Sequence, residues 1–454
     1  MNGDYAARAD VAALAQDYPA GPDFLARYAG MSVDALRAVQ EQRFARLMAR
    51  GWTIPFYRRH WGARGIAPGD IRGLDDLPKL PTYDKADLMA SIAAHPPFGD
   101  FHGLAGGIGS APMVMHTTSG TTGKPQVLLF GPRGRETGNL LIARMARWQG
   151  VVDGDVVHSV YGHGMINGGH YIREAYTRHT NALFLSAGTG AETRSAAQVR
   201  LMADFGASVA VGFIDYIRKL ADVARAEGLV PGEDIRLRMI IGHLGTEDRR
   251  GVEAAWGGAK AFDWYGVGDT GCIAAEGPER DGLYVWEDAH WLEICDVGDG
   301  RPLPPGESGD MVVTCLYKDD VAPCIRFNTH DLSAFRLDGN GHGLPFRRIR
   351  GFLGRSDNMV KLRGINVFPH AIGGLIEGLD ALTGEYICHV KGQAMTVTLE
   401  HRAPQAGDVA GLAAMLRAGL GVEVAVRLVG PGETATATQI DTRQKPLRLV
   451  VEAP

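Results

Sequence analysis

Between positions 116 and 125 the chain reads His116-Thr117-Thr118-Ser119-Gly120-Thr121-Thr122-Gly123-Lys124-Pro125, with five hydroxyl residues, two glycines and one lysine. Glycines let backbone amides approach a ligand closely and turn several N–H groups toward one point, which suits an anion. Hydroxyls add rotatable donors, and Lys124 adds a positive charge that can follow a phosphate. The apolar runs Met113-Val114-Met115 and Val127-Leu128-Leu129-Phe130 flank the stretch and predict strand, loop, strand. A flexible surface hairpin of the same composition rarely sits so tightly between two apolar strands. These are the residue types of a phosphate site. The spacing departs from the common nucleotide P-loop, where four residues precede Gly-Lys and a Ser or Thr follows to hold magnesium. Here only Thr121 and Thr122 separate Gly120 from Gly123, and Pro125 follows Lys124, so any magnesium ion must be held from elsewhere in the chain.

The elements that must position this loop are legible on both sides of it. Residues 1–60 read as helical, with Leu36, Val39, Phe44, Leu47 and Met48 forming a stripe that one helix face can bury. Gly51 ends that helix, and another starts at Asp84. After the loop, helix 134–149 precedes strand Val156–Val160, and strand Ala182–Leu185 precedes helix 195–205. Strand Ser208–Val211, helix Phe213–Glu227, strand Met239–Ile241, helix 248–256 and strand Ala261–Trp264 follow. This alternation predicts an α/β fold with a mostly parallel sheet and helices on its faces. Ligands in such sheets bind beyond the carboxyl ends of the strands. Three glycine-rich segments stand at those ends: Tyr161–His170, Gly242–Glu247 and Tyr265–Gly271. Jointly they predict a pocket shared with the 116–125 loop.

Composition bounds the possible partners. The chain has 454 residues, 45% hydrophobic and 22% charged, a length that favours more than one domain. A net charge of −5 provides no global basic field for nucleic acid or an anionic membrane. Met1-Asn2-Gly3-Asp4-Tyr5 lacks the basic and apolar regions of a leader, and no run long enough to span a bilayer occurs, so no membrane association and a cytoplasmic setting are expected. Five cysteines, odd in number and without C-x-x-C spacing, argue against a disulfide framework or a recognisable zinc site; three lie in or beside apolar strand-like segments and read as small buried residues, with a site assembled by folding from Cys272, Cys315 or Cys324 left open.

Ser119-Gly120-Thr121-Thr122-Gly123-Lys124-Pro125 resembles the signature loop of the adenylate-forming superfamily of acyl-CoA synthetases, peptide-synthetase adenylation domains and luciferases. Tyr57-Arg58-Arg59, Leu77–Thr82 and the order of segments from Leu283 to Leu332 resemble the phenylacetate–CoA ligase-like branch. The resemblance runs over nearly the whole chain. It implies a large N-terminal nucleotide- and acid-binding domain of mostly parallel α/β sheets over 1–355 and a small mobile α+β lid over 356–454. It also implies ATP, Mg2+ and CoA as cofactors and a small-molecule carboxylic acid as substrate. The acid would be activated to an acyl-adenylate and passed to the CoA thiol. A carrier-protein thiol or an amine remains an alternative acceptor, and a homodimer is compatible with the sequence.

The resemblance assigns catalytic roles to Lys124, Lys445 and Asp269, with Asp269 also the magnesium ligand. It assigns the nucleotide and CoA to Thr117, Thr118, Ser119, Gly120, Thr121, Thr122, Gly123, Gly245, Thr246, Glu247, Tyr265, Gly266, Asp331, Arg355 and Gly364. Tyr265 would stack on adenine, Asp331 would take both ribose hydroxyls, Gly364 would edge the CoA tunnel, and Asp357 would be the hinge. The acid pocket would be bordered by Tyr161, His163, Asn167, Gly168 and His170, with Asp215 and His243. Polar groups there suggest an acid with a polar substituent, although His163 and His170 are equally read as packing residues. The chain departs from the family at Gly268, where a hydroxyl residue is usual, and at Asp269, one methylene short of glutamate. Thr270 would then stand in for the hydroxyl; a non-adenylating nucleotide- or acid-binding protein is the alternative these departures leave open. Arg326 is ambiguous, since arginines at strand ends are often solvated, and Lys445 is alternatively a solvated terminal lysine.

Overall fold

The computed structural model describes residues 5–118, 125–245, 247–339, 342–357, 360–363, 365–369, 371–376, 378–440 and 446–452. They form two compact units: Met1–Leu244 with Arg249–Thr329 and Ser333–Gly351, and Gly245–Asp248 with His330–Leu332 and Phe352–Pro454.

The first unit opens with helices Tyr5–Ala9, Val11–Asp17, Pro22–Tyr28, Val33–Gly51 and Pro55–Gly62. Ser32 caps the longest of them, its hydroxyl oxygen accepting from Ala35 N at 3.1 Å. Leu36, Phe44, Leu47 and Met48 are buried along one face, as their spacing predicts, with Val39 at its edge. Gly51 is needed for packing, since a Cβ there would lie 2.9 Å from both Ile325 and Trp61. Asp84 and Asp87 build a capping box at the start of Lys85–Ala94.

Strands β1 (Val114–Thr117) and β2 (Val127–Phe130) pair antiparallel, with Thr117 opposite Val127. The helix Pro132–Gln149 follows and is almost wholly buried. Next come β3 (Val156–Ser159), β4 (Leu183–Ser186), β5 (Val209–Val211), β6 (Met239–Gly242), β7 (Lys260–Val267), β8 (Gly271–Glu276), β9 (Leu283–Val285), β10 (His290–Cys295), β11 (Gly309–Cys315), β12 (Phe327–Ser333) and β13 (Arg348–Ile349). One eight-stranded sheet runs in the order β4-β3-β5-β6-β7-β8-β9-β13. Its pairs from β4 to β7 are parallel, as the alternation of helices and strands predicts, and those from β7 to β13 are antiparallel. The helices Ser195–Asp204, Ile214–Ala226 and Arg249–Ala255 contribute to a core that includes Val199, Ile217, Leu220, Val252 and Trp256, packed with Ile240 of the sheet.

Two elements differ from the sequence reading. Asn167–His179 is a helix, so Asn167, Gly168 and His170 stand in its first turn rather than in a loop. The strand expected to end at Trp264 continues to Val267 and returns directly as β8, which puts Tyr265 and Gly266 inside a hairpin. A Cβ on Gly266 would meet Gly271 O at 2.2 Å, so only glycine allows the two backbones to lie this close.

A buried ion pair joins the N-terminal helices to this scaffold. Arg144 is fully buried and donates to both carboxylate oxygens of Asp288, at 2.7 and 2.8 Å. Tyr28 OH donates to the same carboxylate at 2.9 Å, and Arg43 donates to the Asp288 carbonyl. Arg326 is likewise buried, not solvated: it pairs with Glu293 and donates to the carbonyls of Pro78 and Leu80. All five cysteines are free and buried.

In the second unit Asp331 of β12 stands opposite Arg355 of β14 (Gly354–Arg355). β15 (Val360–Leu362) and β16 (Ile365–Val367) form an antiparallel ladder. β17 (Leu382–Lys391), β18 (Ala394–His401), β19 (Ala425–Val429) and β20 (Leu449–Val451) form a mixed sheet in the order β19-β18-β17-β20. Helices Ala371–Ile376 and Val409–Leu420 pack with it around Val397, Leu399 and Leu416. The unit is α+β. Among the described residues, no helix is long and apolar enough to cross a membrane.

Candidate active site

Thr117, Thr118 and Gln126 form the neck of the glycine-rich loop, whose Ser119, Gly120, Thr121, Thr122, Gly123 and Lys124 lie outside the described residues. Thr118 N donates to Gln126 O at 3.1 Å, and Gln126 N donates back to Thr118 Oγ1 at 3.2 Å, closing the loop at its base. Two of the three predicted strand-end segments reach this neck. Thr117 N donates to Met165 O at 2.8 Å, which ties the Tyr161–Ile166 segment to β1. Gln126 is buried and its Nε2 donates to Asp269 Oδ1 at 2.6 Å, which ties the turn between β7 and β8 to β2. Asp269 is half-buried; burial pushes its carboxyl upward, opposed by Lys318, Gln126 and Lys85.

Thr270 does not fill the role expected of it. Its side chain is completely buried, and its carbonyl accepts from His290 Nε2 at 3.0 Å and Tyr317 OH at 3.0 Å, so it anchors the turn from behind. Gly268 has a packing reason: a Cβ there would lie 2.7 Å from Leu128 Cδ1.

The residues read as an acid pocket form two groups. His116, His163 and His170 cluster, with ring centroids 4.9 Å apart for His116 and His170 and 5.7 Å for His163 and His170. His116 is buried and lowered to about 4 by that burial, with Arg135 and His170 adding to the effect, so its imidazole is neutral at pH 7. His170 Nε2 lies 2.8 Å from Gly164 O, and His163 N donates to Glu192 Oε1 at 3.2 Å. Asn167 is buried and accepts from Arg135. Tyr161 is buried against Phe213, and Gly168 faces its ring. His243 instead packs against Tyr265, with centroids 6.0 Å apart, and its Nδ1 lies 3.1 Å from Trp264 O. Asp215 lies in the first turn of Ile214–Ala226, and no hydrogen bond joins it to the other pocket residues. Tyr265 is buried, its hydroxyl 3.4 Å from Thr329 Oγ1. The sequence reading gave no site role to Glu192 or His116 and missed Gln126 and Lys318, which reach Asp269 across 143 and 49 residues.

In the second unit Arg355 gathers two carboxylates. Its Nη1 donates to Asp331 Oδ1 at 2.7 Å, and its Nε and Nη2 donate to Asp357 at 2.8 and 2.5 Å. Asp331 is buried and Asp357 exposed. Gly245 takes a left-handed turn at φ 54°, and the charge of Glu247 reaches Arg448, which pairs with Glu385 at 2.7 Å. Thr246, Gly364 and Lys445 lie outside the described residues. Among the described residues, no cluster of three or more His, Cys, Asp or Glu could hold a metal unaided. Asp269 nevertheless fits magnesium, which is usually held by one or two carboxylates together with substrate phosphates and water.

No protein-family model matches the chain. Relatives over most of the chain are nevertheless clear. A phenylacetate–coenzyme A ligase of Pseudomonas putida is 34% identical over 372 residues, covering 79% of each chain. Its Escherichia coli counterpart is 32% identical over 371 residues, covering 78% of this chain and 79% of the relative. Among solved structures, 2-hydroxyisobutyryl-CoA ligase in the postadenylation state with 2-HIB-AMP superposes with a TM-score of 0.80 and 25% identity, over 94% of this chain and 91% of that one. Extensive identity, a glycine-rich loop tied at its neck to an acidic turn, and an α/β unit followed by an α+β unit agree: this chain belongs to the phenylacetate–CoA ligase family of AMP-forming acid–CoA ligases.

Proposed function

We propose that the protein activates an aromatic or arylacetic acid carrying a polar substituent, in the two steps of its family. The acid's carboxylate attacks the α-phosphorus of ATP, and the bond to the β-phosphate breaks to release pyrophosphate. The CoA thiol then attacks the carbonyl of the acyl-adenylate, and AMP leaves as the thioester forms. The first step develops charge on phosphate oxygens, and donors fixed in advance stabilise it most. Thr117, Thr118, Ser119, Gly120, Thr121, Thr122, Gly123 and Lys124 are assigned that task, with Lys445 on the carboxylate and α-phosphate. Bound magnesium would neutralise phosphate charge, and Asp269 would hold it. The observation that carries the reading is the Thr118–Gln126–Asp269 chain, which sets the neck of the phosphate loop against this carboxylate.

Adenine is assigned to Gly245, Thr246, Glu247, Tyr265 and Gly266, and ribose to Asp331 with Arg355. The boundary is placed at 355/356, with Asp357 as the pivot and Gly364 beside the CoA arm. Tyr161, His163, Asn167, Gly168, His170, Asp215 and His243 are the candidate contacts of the acid. A neutral His116 beside His170 favours a hydroxyl or other uncharged polar substituent over a second carboxylate. Its need for ATP and CoA places the protein in the cytoplasm.

Acid-dependent exchange of labelled pyrophosphate into ATP, run over a panel of arylacetic, benzoic and aliphatic acids, tests the reading. Hydroxylated aromatic acids should exchange fastest; a panel dominated by short aliphatic acids would reject the substrate class. The best acid, offered CoA, amines and carrier proteins in turn, should give product with CoA. A product with only an amine or a carrier protein would reassign the acceptor.

Asp331→Ala should raise the KM for ATP by about tenfold or more, the scale of a lost hydrogen bond to a charged group, with acid preference unchanged. An unchanged KM would remove Asp331 from the ribose site.

A further inference from the structure

We propose that Gln126 and Lys318 are positioning residues that together set the Asp269 carboxylate for the nucleotide-bound cation. The inference rests on the reading of Asp269 as the magnesium ligand. Asp269 has one methylene fewer than the family's glutamate, so its carboxylate stands closer to the turn. Two groups brace it there. Gln126 Nε2 donates to Oδ1 at 2.6 Å, and its own backbone is locked by both hydrogen bonds of the loop's neck. The amide is therefore a fixed donor on one carboxylate oxygen, which leaves Oδ2 to be directed elsewhere.

Lys318 braces the same residue from the other side. It is buried, with its Nζ 4.9 Å from the Phe130 ring centroid and 3.1 Å from the Asp269 carbonyl oxygen, to which it donates. The adjacent Thr270 carbonyl takes Tyr317 and His290. Four donors thus hold two successive residues of the turn, and the neighbouring Gly268 is packed under Leu128. A cavity of about 20 Å³, enough for one water, touches Asp269, Lys318, Leu128 and Tyr83. Gln126 therefore fixes direction, and Lys318 fixes the height of the turn through its backbone.

Manganese bound with α,β-methylene-ATP, read by electron paramagnetic resonance, provides a measure independent of turnover. Gln126→Leu keeps side-chain size and removes the donor; it should weaken manganese binding by about tenfold, the scale of a hydrogen bond to a charged partner. The magnesium concentration that half-saturates pyrophosphate exchange should rise in parallel, with the KM for the acid unchanged. Gln126→Glu loses the donor but adds a carboxylate that attracts the cation, so it should bind manganese more tightly than Gln126→Leu; equal losses in the two would point to a merely structural role and overturn the proposal. Lys318→Met should weaken binding, and Lys318→Arg should recover part of it. Manganese affinity within about twofold of wild type in Gln126→Leu and Lys318→Met would also overturn it. Asp269→Ala separates the two layers: if it abolishes manganese binding while the brace variants do not, only this proposal falls. If Asp269→Ala binds normally, both fall. Should Gln126→Leu not fold, Gln126→Asn, a shortened amide, is read in its place by the same criterion.

Discussion

Lys445→Ala is expected to slow acyl-adenylate formation by about a hundredfold to a thousandfold, the range seen when one preorganised donor to a developing oxyanion is removed. Thiolysis of supplied acyl-adenylate should be nearly unaffected, because the lysine is assigned to the first step only. Single-turnover measurements of the two half-reactions would decide it, and equal losses in both would reject the role. Lys445 lies outside the described residues, but its neighbour sharpens the choice. Arg448, a cation three residues on and among the described residues, is committed: it donates to Glu385 at 2.7 Å and to the Tyr386 carbonyl at 3.0 Å within the second unit. Arg448→Ala should accordingly cost stability of that unit rather than half-reaction selectivity, so the pair of variants distinguishes a chemical cation from a structural one.

Asp288→Ala should destabilise the first unit by about 3–5 kcal/mol, since removing one partner of a buried pair leaves the other charge uncompensated. Arg144, fully buried, would lose its one carboxylate partner and both hydrogen bonds to it, and Tyr28 would lose its acceptor. Burial alone would raise the Asp288 carboxyl, yet Arg144 and Arg43 hold it below the usual range, so the pair is ionised at neutral pH. Urea unfolding would report the loss as a lower midpoint. Replacing both members with apolar residues, Arg144→Met with Asp288→Leu, should recover much of it, because well-packed apolar groups often match a buried pair. A midpoint in Asp288→Ala equal to that of wild type would show that the N-terminal helices are held by apolar packing alone.

The parallel half of the large sheet is readable because each segment there carries its own periodicity. Val209–Val211 and Met239–Gly242 are short apolar runs, and Ile214–Ala226 repeats its buried residues at helical spacing. The helix at Asn167 is hidden by its first turn, where Gly168 and Gly169 mimic a loop and Ile166 offers no side-chain cap. Those glycines answer a tertiary demand: a Cβ on Gly169 would meet Gly162 O at 2.2 Å. The same ambiguity shortened β7, because a glycine-rich hairpin with tightly apposed backbones has the composition of an open loop. Arg326 could not be assigned locally, since its burial depends on Glu293 and on carbonyls nearly 250 residues away. Of the candidate site, the loop's residue types carry their own chemical signal, whereas Asp269 is singled out only by the resemblance of Tyr265–Asp269 to a family segment. Gln126 and Lys318 are not, because neither stands out until the fold brings it to Asp269.

The contact between Gly268 and Leu128 has a consequence for engineering. Restoring a serine or threonine at 268, the obvious graft from relatives, would push its first carbon into a leucine that is itself buried. A library that varies 268 alone would therefore require Leu128 to move each time and would understate what the position tolerates. Varying 128 and 268 together, with 266 left as glycine, searches the combinations that the backbone can accept.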